Sequence, residues 1–119
     1  MQYKFEKYQY YDERDNSNKS TSIILIENEE QYGAYFSTEI TNLNLEYLDE
    51  IVNSLEQILS GELQHYEFGY EVYTIECKNE ISFIIDTYNH WKCIAEISTQ
   101  EIYEFIRDWR NYLIKPDHS

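Results

Sequence analysis

The sequence predicts an α+β domain, with an antiparallel sheet of about six strands in the order βββα-βββα and two amphipathic helices packed on one face. Three observations predict it. Short stretches rich in Ile, Phe and Tyr recur between polar turns, as strands do. Two segments repeat apolar residues every three to four positions, as helices do. The 119 residues, 42% of them hydrophobic, suit one domain spanning 1–119 with a core of its own, ending in a flexible tail over 115–119.

The first strand runs from Tyr3 to Tyr11, where Tyr3, Phe5, Tyr8, Tyr10 and Tyr11 favour extended backbone. The polar stretch Asp12 to Ser20 reads as a loop, and Ile23-Ile24-Leu25-Ile26 as a second strand. Asn28 to Tyr32 turns the chain. A third strand follows from Tyr32 to Ile40, its inner face set by Tyr32, Ala34, Phe36, Thr38 and Ile40. Leu45, Leu48, Val52, Leu55 and Leu59 then step by three and four, widened by Ile51 and Ile58. Asn44 is the expected N-cap of this helix and Gly61 its left-handed C-terminal cap.

Strands at Glu67 to Glu76, Glu80 to Asp86 and Trp91 to Ile97 complete the sheet, joined by turns at Lys78-Asn79 and Thr87 to His90. Ser98-Thr99-Gln100-Glu101 is a capping box opening the last helix, with Ile97 and Ile102 at the hydrophobic-staple positions. Ile102, Phe105, Ile106, Trp109 and Leu113 form its apolar stripe. Arg107, Arg110 and Lys115 lie towards its negative end, and Pro116 stops it.

Charge is the strongest compositional signal. Nine Lys and Arg stand against 23 Asp and Glu, a net charge of −14. No Lys or Arg occurs from Ser20 through Cys77, where twelve acids accumulate; the remaining residues carry a net of only −2. Such a field repels nucleic acid and anionic membranes and speeds encounter with a basic partner. On the first helix, Glu46, Asp49, Glu50 and Glu56 fall within about a 120° arc away from the apolar stripe, with no base at i±3 or i±4. These four are the candidate partner-binding residues, with Glu29 and Glu30 in the preceding turn as secondary contacts. The chain has thirteen tyrosines, more than one sheet face can bury, and those left exposed add the amphipathic rings that protein-binding surfaces use.

Catalytic and metal-binding patterns are not expected. Three scattered glycines make no phosphate loop, and Cys77 and Cys93 have neither Cys-x-x-Cys spacing nor a histidine at ligand spacing. In the strand order above the cysteines flank one intervening strand, farther apart than a disulfide spans, so both are expected as buried free thiols. His65, His90 and His118 read as surface residues, and Thr87 to Trp91 as the nearest thing to a polar cluster. The N-terminus lacks the basic and apolar regions of a signal peptide, and no stretch reads as a membrane span, so a cytoplasmic location without cofactor, metal or disulfide is expected.

The segment from Trp91-Lys92-Cys93 through Ser98-Thr99-Gln100-Glu101 to Trp109 and Leu113 is a last strand running into a capped helix. With the acidity and size, it resembles the immunity proteins of bacterial polymorphic-toxin and contact-dependent growth inhibition systems. The resemblance implies a non-catalytic protein that binds and neutralises a cognate toxin domain with a basic surface, often a nuclease. No binding residue carries over from it, because the segment is a signature of fold. The other reading is a phage- or plasmid-encoded acidic mimic or adaptor that binds a host nucleic-acid-handling protein. Oligomeric state stays open, with the Tyr-rich first strand a candidate edge for pairing.

Overall fold

A computed structural model of the protein describes residues 2–27 and 38–115. The chain is α+β, and its described strands form two antiparallel sheets rather than one. Strands β1 (Tyr3–Asp12) and β2 (Ser17–Ile26) make a two-stranded ribbon. After a short 3-10 helix (Ile40–Asn42) comes α1 (Leu45–Ser60). Strands β3 (Tyr66–Gly69), β4 (Tyr73–Cys77), β5 (Ile81–Asp86) and β6 (Lys92–Ser98) form a four-stranded meander, and α2 (Thr99–Ile114) closes the order.

The predicted βββα-βββα order is therefore corrected at several points. The expected loop from Asp12 to Ser20 is a turn of Glu13 to Asn16, with β2 already begun at Ser17. Its polar residues are held as strand by pairing with β1 in unbroken register, from Tyr3 opposite Ile26 to Asp12 opposite Ser17. The turn is fixed by Asp12, which accepts from the Arg14 backbone N–H at 2.9 Å and from Lys19 Nζ at 3.0 Å. The lysine, with the backbone of Arg14, holds the Asp12 carboxyl below the usual carboxylate range. Of the expected third strand, Tyr32 to Phe36 and the residue after it lie outside the described residues, and Ile40 is in the 3-10 helix. The expected tail is outside them too, apart from Lys115.

The expected strand from Glu67 to Glu76 is two strands, broken at Tyr70 to Val72. The cause is a buried carboxylate. Glu39 accepts from the backbone N–H groups of Glu71 (3.0 Å), Val72 (3.1 Å to each oxygen) and Tyr73 (3.3 Å). Three successive donors turned towards one anion cannot serve a sheet ladder. Gly69 permits the bend, since a Cβ there would lie 2.4 Å from the Tyr73 carbonyl oxygen.

Both helix starts form as their local signals predict. Asn44 accepts from the Tyr47 N–H at 2.8 Å, and Ser98 accepts from the Glu101 N–H at 3.0 Å. Gly61, at φ +86°, caps the C-terminus of α1 in the left-handed region. Leu48, Ile51, Val52 and Leu55 of α1 and Ile102, Phe105, Ile106 and Trp109 of α2 pack with Phe68, Ile75, Cys77, Ile84 and Ile97 from one face of the four-stranded sheet. Leu45, placed in the predicted stripe, is exposed.

Among the described residues, the ribbon joins the core through its open end. Tyr3 and Phe5 lie against Phe105 and Trp109, with ring centroids 4.8 Å (Tyr3–Phe105) and 5.1 Å (Phe5–Trp109) apart, and Ile24 is buried. Tyr3 also donates to Asp108 at 2.7 Å, and burial followed by this bond raises its phenol well above its ordinary pKa. Beyond Phe5, Tyr8, Tyr10 and Tyr11 are exposed, and the molecule measures 48 × 31 × 23 Å.

Replacing Glu39 by Ala should lower unfolding free energy by about 2–3 kcal/mol in a urea titration, because the turn donors lose a buried acceptor. Gly69→Ala should cost about 1–3 kcal/mol by the steric route.

Candidate functional site

The acidic face of α1 follows from the burial of its other side. With Leu48, Ile51, Val52, Leu55 and Ile58 turned inward, Glu46, Asp49, Glu50 and Glu56 are all exposed on the solvent side. Tertiary structure brings them partners that helical spacing does not reveal. Arg110 of α2 reaches across the helix pair to Asp49, with Nη1 3.4 Å from Oδ1. Tyr103 Oη donates to Glu56 at 2.8 Å, and Tyr66 Oη donates to Glu50 at 3.3 Å.

The bond to Glu56 raises the Tyr103 phenol, while burial raises that of Tyr66. Both phenols are thus neutral donors that orient carboxylates without cancelling their charge. Glu46 lies in the first turn, beside the positive end of the helix dipole. Around Glu56, the residues Asn53, Gln57, Ser60 and Glu62 line a shallow groove with it. Glu29 and Glu30 lie outside the described residues. The four helical positions are brought together on one face.

Arg107 and Arg110 do not serve the end of α2 as expected. Arg107 pairs with Asp108 at 3.0 Å, Arg110 turns to Asp49, and neither is in the last turn.

The second surface is the sheet face away from the helices. Register aligns Glu67, Glu76, Phe83 and Glu96 across all four strands. Near them, Ile81 and Ile94 are partly exposed, and Lys78 Nζ stands 5.8 Å from the Phe83 ring centroid. A bulge opposite Ile84 and Ile85 inserts Ile94 between Ala95 and Cys93. The extra residue breaks the two-residue alternation, so Cys93 is exposed while Ala95 and Ile97 face inward. The expectation of two buried thiols is corrected: only Cys77 is buried, and burial pushes its thiol up to about 12.

At the β5–β6 tip, His90 (φ +55°) and Trp91 (φ +57°) occupy the two central positions of a turn closed by Lys92 N–H to the Asn89 carbonyl at 3.1 Å. Positive φ at both positions matches the hairpin turn that usually holds Asn-Gly. Trp91, expected to open the strand, is instead displayed there with Tyr88, at 66% and 73% exposure. The Thr87 hydroxyl of the suggested polar cluster donates to the Val72 carbonyl at 2.7 Å, a structural tie between turns.

One grouping was not anticipated from sequence. His65 Nε2 is 3.4 Å from Glu67 Oε1 and 3.8 Å from Glu76 Oε1, on the helix-free face of the sheet. The His-x-Glu alternation was visible, but the approach of Glu76 depends on strand register.

No family model matches the chain, and no curated protein or solved structure matches it. No helix among the described residues is long and apolar enough to cross a membrane.

Under native conditions at pH 8, a thiol reagent such as dithionitrobenzoate should modify Cys93 rapidly and Cys77 only on unfolding. The expected count is one equivalent in buffer and two in denaturant.

Proposed function

We propose that the protein is a non-catalytic, immunity-type inhibitor that binds a toxin domain with a basic surface through the acidic face of α1. The observation that carries this reading is the state of Glu46, Asp49, Glu50 and Glu56: exposed, on one face, and reached among the described residues by a single guanidinium, that of Arg110. Hydrogen bonds from Tyr66 and Tyr103 fix two of the four, which reduces the ordering cost of binding. A basic cleft that accepts phosphates would meet here an array of carboxylate oxygens at fixed positions, and the net charge of −14 would accelerate encounter.

The test is co-purification with the product of the adjoining gene, followed by association kinetics. Glu46→Gln, Asp49→Asn and Glu50→Gln together keep the acceptor oxygens and remove three charges. The triple variant should associate about ten-fold more slowly at low salt, with the difference shrinking as salt is raised and thermal melting little changed. Unchanged association would remove this face from the interface. A neighbour that binds but is harmless when expressed alone would replace the toxin reading with that of an adaptor.

A further inference from the structure

His65, Glu67 and Glu76 form the other chemically distinctive grouping, on a face of the molecule that the toxin reading does not use. Glu67 on β3 and Glu76 on β4 are directly opposed in register. Like charges so placed repel across a gap of about 5 Å between Cβ atoms. Two residues before Glu67, His65 projects to the same side by the two-residue period. One donor atom from each of the three lies within 4.8 Å of the others. Ligands of a tetrahedral zinc ion at ordinary bond lengths stand roughly 3.3–3.4 Å apart. The two histidine–glutamate distances, 3.4 and 3.8 Å, approach that value before any side chain adjusts.

We propose that His65, Glu67 and Glu76 bind a divalent transition metal of the zinc class at the β3 side of the four-stranded sheet. Two carboxylates neutralise the ion, and the imidazole selects a borderline metal over magnesium or calcium, which prefer oxygen. The site supplies three protein ligands and leaves a fourth position to water. Lys78 is its internal competitor, with Nζ 3.6 Å from the same Glu76 oxygen that faces His65. All three ligands are at least partly accessible, so the ion can enter from solvent and substitutions should leave the core intact.

Zinc chloride titrated into the full-length chain, followed by calorimetry at pH 8, tests this. A Cys93→Ser background removes the exposed thiol as a rival ligand. One site is expected, with shifts of the His65 ring resonances on zinc addition. His65→Ala and Glu76→Gln should each weaken it roughly ten-fold or more, at least the loss seen when a mere supporting group is removed. Lys78→Ala should tighten it several-fold, and magnesium chloride should produce no ring shift. Equal zinc affinity in the parent and the His65→Ala variant would overturn the site in favour of diffuse binding to the acidic surface. No binding at millimolar zinc would overturn it in favour of a plain imidazole–carboxylate contact. Neither result bears on the α1 face, whose variants share no residue with these.

Discussion

The buried carboxylate of Glu39 organises one whole end of the sheet. It gathers the backbone donors of Glu71, Val72 and Tyr73, so the β3–β4 connection is anchored to the segment that leads into α1. The Val72 carbonyl accepts in turn from the Thr87 N–H at 2.9 Å and the Thr87 hydroxyl, tying the β5–β6 turn to the same point. Tyr47 of α1 completes the arrangement: its hydroxyl donates to the Gly69 carbonyl at 3.2 Å and accepts from the Gly69 N–H at 3.1 Å. Both hairpin turns at that end, and the first helix, thus refer to one short piece of chain. An anion is suited to this role because several peptide dipoles can converge on it at once.

The opposite end is held by hydroxyls. Thr99 and Ser82, both buried, lie 2.8 Å apart, and the Thr99 hydroxyl donates to the Lys78 carbonyl at 2.5 Å. The Thr99 N–H reaches the Glu80 carbonyl, so the start of α2 is fastened to the β4–β5 turn. Asn79 from that turn donates to the Ile58 carbonyl near the end of α1. Between these polar clasps the core is almost wholly aliphatic and aromatic, and the packing of the two helices on the sheet follows from where the clasps set their ends.

How far the sequence foretold this differs by element for physical reasons. The helices were legible because their caps and periodicity are local, with Asn44, Gly61 and Ser98 acting within a few residues of themselves. The interruption after Gly69 was not, because Glu71 and Val72 suit a strand and the group that bends them is more than thirty residues away. The polar half of β2 has the composition of a loop, and cross-strand pairing, which composition does not encode, keeps it extended. Of the site, the exposure of the α1 carboxylates was readable from the wheel. Arg110 and the two phenols that meet them come from other elements, and Glu76 finds His65 only through strand register.

The bulge at Ile94 has a consequence for how copies of this chain treat one another. Among the described strands β6 is an outer strand of its sheet, and outer strands present a row of backbone groups that an incoming strand can read as a template. The extra residue bends that row and breaks its spacing, so an incoming strand finds matching donors and acceptors over only a few residues. Lys92 and Glu96, charged and exposed on either side of the bend, make a flat apolar approach harder still. The irregularity that turns Cys93 outward also works against edge-to-edge pairing along β6.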